Sequence, residues 1–131
     1  MSGKRVLDSY ALLAYLKKED KYEKVKNLLG SKGAVLLMNE INLGECFYIL
    51  ARERGLDQAE YFVHTILPNL PLIKRANTFQ DVIEAARIKA SHALSYADCF
   101  VVQTSLQENA PIVTGDPEFK KVEKLARIDW L

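Results

Sequence analysis

The chain has 131 residues, of which 49% are hydrophobic and 27% charged, and its formal net charge is +1. That length holds one domain with a real core and is too short for two ordinary ones, and the composition excludes a disordered chain. The near-neutral charge excludes a uniformly basic nucleic-acid binder but leaves room for a local basic patch.

Strand and helix signals alternate along the chain. Arg5, Val6 and Leu7 form a short apolar strand that ends at Asp8. Ala11, Leu12, Tyr15 and Leu16 then recur at helical spacing. A second helix, about residues 20–30, carries Tyr22, Val25, Leu28 and Leu29 on one face and lysines opposite, with Gly30 and Gly33 punctuating its end. Ala34 to Met38 is a continuous apolar run, as expected of a strand buried on both faces. Asn39 is placed to cap a helix over about 40–54, closed by Gly55. Asp57 and Glu60 make an acidic start for another helix reaching Pro68. Pro71 to Lys74 reads as a strand, Thr78 and Asp81 open a helix to about Ala90, and Ser95 begins one to about Glu108. Pro111 to Thr114 is again strand-like, Pro117 suits a helix's first turn, and the tail from Arg127 to Leu131 reads as a last edge strand.

This order predicts an α/β fold of three layers: a central, mostly parallel sheet of four or five strands flanked by helices. There is no internal repeat, low-complexity tract or linker, so residues 1–131 read as a single domain. Cys46 and Cys99 lie in apolar helical runs without the spacing of a zinc or redox site, and read as buried thiols in a reducing compartment. No apolar run approaches the roughly 20 residues that span a bilayer. Met1 leads almost directly into the first strand, leaving no room for a signal peptide. A cytoplasmic protein without membrane contact is expected.

Four acids stand out because each lies beside or inside an apolar stretch: Asp8, Glu45, Asp98 and Asp116. An unpaired buried carboxylate must find a partner, take up a proton or bind a metal. If the fold gathers these four, their repulsion calls for a divalent cation, and a metal held by carboxylates serves phosphate chemistry. Sites of open parallel sheets form at the carboxyl ends of the strands, which places Asp8 and Asp116 on one edge.

Each of three acids also fits a simpler role. Asp8 and Asp116 are good helix N-caps, and Asp98 sits three residues after Ser95, as in a capping box. The two roles coexist, because a helix N-terminus stabilises the ionised carboxylate that a metal needs. Glu45 resists such an explanation: Leu43, Cys46, Phe47, Ile49 and Leu50 surround it, and Arg52 lies two turns along. Its neighbour Gly44 costs about 1 kcal/mol inside a helix, which suits a place where another backbone or a ligand comes close. His64 and His92 are far apart and near no cysteine pair, and read as surface or satisfied histidines. No glycine-rich phosphate loop, nucleophile elbow or D-x-D motif occurs. The lysines at 17, 18, 21, 24 and 26 read mostly as a solvated face.

The segments V-L-D-S at 6–9, I-N-L-G-E at 41–45, S-Y-A-D at 95–98 and V-T-G-D-P-E-F at 113–119, taken in order, resemble the PIN domain family, and most nearly its VapC-type toxin ribonucleases. The resemblance covers essentially the whole chain. It implies a PIN fold with Asp8, Glu45, Asp98 and Asp116 as an acidic quartet that is both catalytic and metal-binding, holding Mg²⁺ with Mn²⁺ as a substitute. Ser9 and Thr114 match the hydroxyl positions that line such a site, and Glu118 matches a further acid acting through water. The implied activity is metal-dependent endonucleolytic hydrolysis of RNA. The implied partners are an RNA substrate, a small antitoxin that silences the enzyme, and a second copy in a homodimer. Lys120, Lys121 and Lys124 are candidates to meet the RNA backbone. A housekeeping RNA-processing nuclease is the alternative. A non-catalytic PIN-like interaction module would be expected to have lost an acid, and this chain keeps all four; a ligand-binding domain with capping aspartates alone is a third reading.

Overall fold

The computed structural model describes residues 3–131, so Met1, on which the leader expectation rests, lies outside the described residues. Five strands are found: β1 Gly3–Leu7, β2 Ala34–Asn39, β3 Leu72–Arg75, β4 Ile112–Thr114 and β5 Ile128–Trp130. They form one sheet in the order β3-β2-β1-β4-β5, and every neighbouring pair is parallel. The connections are α1 Ser9–Lys17, α2 Tyr22–Leu29, α3 Glu40–Arg54, α4 Leu56–Tyr61, α5 Phe79–Ser91 and α6 Tyr96–Glu108. A 3₁₀ helix, Pro117–Val122, joins β4 to β5.

Side-chain alternation along the strands builds a core on each face of the sheet. Leu7, Leu36, Met38 and Val113 point to one side, against α1 to α4, with Leu12, Val25, Leu50 and Phe62. Val6, Leu37 and Ile112 point to the other side, against α5 and α6, with Ala85, Phe100, Val101 and Phe119. Phe62, Phe119, Leu7 and Leu12 are each at most 1% exposed. Burying a side chain of that size contributes about 1.5–3 kcal/mol. The expected three-layer α/β architecture is therefore present, with a sheet that is wholly parallel. β2 is less enclosed than its composition implies, since Val35, near its start, is 41% exposed.

The helix boundaries follow their caps. Asn39 accepts from the Asn42 N–H at 2.9 Å to start α3. Thr78 and Asp81 form a reciprocal capping box for α5. α4 departs from expectation: Asp57 and Glu60 supply no capping hydrogen bond, and the helix starts from Gly55, whose φ of +95° only glycine adopts readily. Beyond Tyr61 the helix widens into a π-helical turn, Phe62–Ile66, before a short 3₁₀ turn at Leu67–Asn69.

The strand order places the site. From β1 the chain steps to β2 and β3, then crosses back to β4 and β5. The segments leaving β1 and β4 therefore diverge, α1 toward one core and the Pro117–Val122 helix toward the other. Such a switch point leaves a crevice outside the carboxyl ends of the two strands.

Candidate active site

Asp8 follows β1, Thr114 ends β4, and Asp116 lies two residues beyond, so all three flank the switch-point crevice. Asp98 comes from the first turn of α6, and Glu45 from the second turn of α3. The four acids line one cavity of about 390 Å³, together with Ser9 and Glu118. The sequence-predicted site residues thus meet from four separate segments. Thr114 meets them through Asp8 rather than by lining the cavity.

Asp8 is 2% exposed. Its Oδ1 accepts from the Ala11 N–H at 2.8 Å, capping α1, and its Oδ2 accepts from the Thr114 hydroxyl at 2.5 Å. The Thr114 Oγ1 in turn accepts from the Asp116 N–H at 3.0 Å, which ties the start of the post-β4 loop to Asp8. Burial pushes the Asp8 carboxyl up to about 8, against those two hydrogen bonds, and the charges of Asp98 and Asp116 push it further. Burial likewise lifts Asp98 to about 6; Ser95 opposes this, while Asp116, Glu45 and Glu118 add to it. Asp8, Asp98 and Asp116 do serve as or beside helix caps: Ser95 Oγ accepts from the Asp98 N–H at 3.1 Å, and Asp116 Oδ1 accepts from the Glu118 N–H at 3.0 Å. Capping and convergence coexist in the same residues.

Glu45 forms no ion pair with Arg52, which instead stacks over the Tyr48 ring at 5.0 Å. Its Oε1 accepts from Asn42 Nδ2 at 3.4 Å. Asn42 is fully buried, and its Nδ2 also donates to the Ala97 carbonyl at 3.2 Å, next to Asp98. Asn39 adds a second tie from α3 to α6, donating to the Phe100 carbonyl at 3.2 Å and to Thr104 at 3.1 Å. This amide pair joins the helix that carries Glu45 to the helix that carries Asp98. Sequence reading missed Asn42; its signal was an amide three residues before an acid in an apolar helix.

Gly44 has no neighbour within 4 Å of where a Cβ would lie, so no close internal contact accounts for it. Glu118 is exposed and paired with Lys121 at 2.9 Å. His64 is exposed and bonded to Glu60, and His92 Nδ1 lies 3.1 Å from the Ile88 carbonyl oxygen. Cys46 and Cys99 are buried and free.

The donor set suits a hard divalent cation in kind, because every group is a carboxylate oxygen. The raised carboxyls at Asp8 and Asp98 mark charge that the protein alone does not balance, which a cation would. Among the described residues, however, no three acidic, histidine or cysteine side chains stand close enough to hold one ion directly. An ion held here would take at most two of these carboxylates directly, and water would complete its shell.

A family model, the PIN domain, matches residues 5–125. No curated protein matches the sequence. Among solved structures, the fold is similar to VapBC2 from Rickettsia felis bound to a promoter DNA fragment, at TM-score 0.74 and 18% identity, covering 98% of each chain. It is also similar to the sarcin-ricin loop cleaving toxin VapC20 of Mycobacterium tuberculosis, at TM-score 0.74 and 19% identity, over 88% of this chain and 92% of that one. DNA-bound VapBC from Salmonella typhimurium gives TM-score 0.72 and 19% identity, over 99% and 98%. With its family model spanning nearly the whole sequence and its fold similar to these structures, the chain belongs to the PIN domain family.

Proposed function

We propose that the protein is a metal-dependent endoribonuclease acting as the toxin of a toxin–antitoxin pair. The observation that carries this reading is the gathering of Asp8, Glu45, Asp98 and Asp116 around one cavity, with Asp8 almost wholly buried. Asp8, Asp98, Glu45 and Asp116 would hold Mg²⁺, or Mn²⁺ in its place. When bound, the ion would supply Lewis-acid stabilisation of phosphoryl charge and a more acidic water. The protein's own groups do the positioning. Thr114 and the Ala11 N–H orient the two Asp8 oxygens, and Asn42 fixes Glu45 relative to α6. Thr114, whose hydroxyl donates to Asp8, is fully buried, and the Ser91–His92 contact lies outside the cavity, so water is the proposed nucleophile.

The toxin role rests on likeness: the solved structures of similar fold include a toxin that cleaves the sarcin-ricin loop and a toxin–antitoxin complex from Klebsiella pneumoniae. An antitoxin partner, a homodimer and a cytoplasmic location follow from the same reading. Among the described residues no helix is long and apolar enough to cross a membrane. Lys120 and Lys124 are exposed, follow Asp116 in the chain and are proposed RNA-backbone contacts. Lys121 is already engaged by Glu118.

The test is cleavage of a fluorogenic RNA by wild type and by Asp98→Asn, each in EDTA, Mg²⁺ and Mn²⁺. Wild type is expected to cut only with metal, and the folded variant to lose the activity. Equal cleavage by the variant, or full activity in EDTA, contradicts the proposal.

A further inference from the structure

Tyr10 is the second residue of α1 and lines the cavity shared by the four acids, yet it is 46% exposed. It is held in place from the other side of the crevice. A Cβ added to Gly115 would lie 2.5 Å from Tyr10 Cε1, 3.1 Å from Cζ and 3.2 Å from Cδ1. Gly115 is not among the positive-φ glycines, Gly3 and Gly55, so its backbone does not require glycine. A Cβ there would have to push the ring aside. The loop after β4 thus lies against one side of the ring at Gly115, and nearly half of the residue is left open beside the acids.

A ring kept in solvent forgoes part of the burial that a core aromatic gains, and a half-exposed, buttressed aromatic is suited to stacking. The charge around it narrows what would stack. The cavity is acidic and no lysine or arginine lines it; Lys121, the partner of the lining Glu118 at 2.9 Å, is also bonded to the Ala93 carbonyl at 3.0 Å. Inside the cavity, charge therefore offers no grip on a base beside the phosphate under attack, the proposed backbone contacts of Lys120 and Lys124 lying outside its lining. Base stacking supplies grip without charge and tolerates any sequence, since every base has a π-face. We propose that Tyr10, buttressed by Gly115, is a stacking platform for a nucleobase of single-stranded RNA flanking the cleaved phosphate. This rests on the ribonuclease reading.

The test uses steady-state cleavage of a fluorogenic mixed-sequence RNA in Mn²⁺ by wild type, Y10A, Y10F, Y10W, G115A and the Y10A/G115A double variant. Stacking on an aromatic corresponds to about 5- to 150-fold in affinity per base. Y10A is expected to raise KM within that range with kcat changed less than about threefold, and Y10F and Y10W to restore KM. G115A is expected to raise KM by displacing the ring, and the double variant to be no worse than Y10A alone. RNA with one abasic site beside the scissile position should lose affinity with wild type and not with Y10A. A Y10A KM equal to wild type overturns the proposal, as does a G115A effect that adds fully to that of Y10A. Unchanged KM with weakened self-association would assign the ring to a protein contact instead. Absence of wild-type cleavage would remove the ribonuclease reading itself, and this platform with it.

Discussion

Replacing Asp8 by asparagine is expected to stabilise the metal-free protein at alkaline pH. Asp8 has a folded-state pKa of about 8 against an ordinary value of 3.8. The folded state therefore holds a proton that the unfolded chain has released. The stability linked to this group is complete below about pH 4 and is lost as pH rises toward 8. Each pKa unit is 1.36 kcal/mol, so the full shift corresponds to a loss on the order of 5 kcal/mol at high pH. Asparagine has a similar shape, caps helices as well as aspartate does, and carries no charge to desolvate. It retains an oxygen for the Ala11 N–H and keeps a polar group beside Thr114. For a chain of this size 1 kcal/mol moves the melting temperature by roughly 3–5 °C. Water entering the cavity screens part of the loss, so a rise of about 5–15 °C is expected for Asp8→Asn at about pH 8.5 in EDTA, shrinking toward zero near about pH 4. Added Mn²⁺ should reverse the ranking, raising the wild-type melt and leaving the variant little changed. Thermal melting by circular dichroism across pH decides the matter. A variant that melts below wild type in EDTA at high pH would refute the claim that Asp8 is a buried, unbalanced charge.

Other perturbations separate the site from the scaffold. Asn42→Ala removes the amide that joins Glu45 to the Ala97 carbonyl; it should lower stability by about 1–2 kcal/mol in urea unfolding and also reduce the Mn²⁺-induced melting shift. Phe62→Ala empties a fully packed position in the core under α4; a loss of about 3–5 kcal/mol is expected, with the metal-induced shift retained in whatever protein stays folded. Asp98→Asn should flatten the part of the pH–stability curve near about pH 6, because burial and the neighbouring acids raise this carboxyl too, and a wild-type-like curve there would count against its contact with the cluster.

Much of the fold was legible because local chemistry and tertiary position agree. The bounds of α3 fall where Asn39 and Gly55 set them, and the Thr78–Asp81 capping box opens α5 as its spacing implies. The apolar strands gave their places, and their order gave the shared edge of Asp8 and Asp116. What stayed hidden depends on contacts between distant segments. Asp57 and Glu60 look like a helix start, but Gly55 takes the unusual backbone turn and leaves them on the surface. Phe62, Val63 and Ile66 suit an α-helix, and no local signal distinguishes the π-helical turn they adopt. Asn42 has meaning only beside Ala97, 55 residues on, and Gly115 only beside Tyr10. The four acids were readable because each stands out against its own apolar neighbours. Their common cavity is a property of the strand order, which the alternation of elements already constrained.

The central claim is that four acids from four segments form one metal centre. Calorimetric titration of Mn²⁺ into wild type and into Asp8→Asn, Glu45→Gln, Asp98→Asn and Asp116→Asn addresses it most directly. Binding to wild type, weakened about tenfold or more by each substitution that removes a direct ligand and less by those acting through water, is the predicted result. Undiminished binding in all four variants would contradict the account.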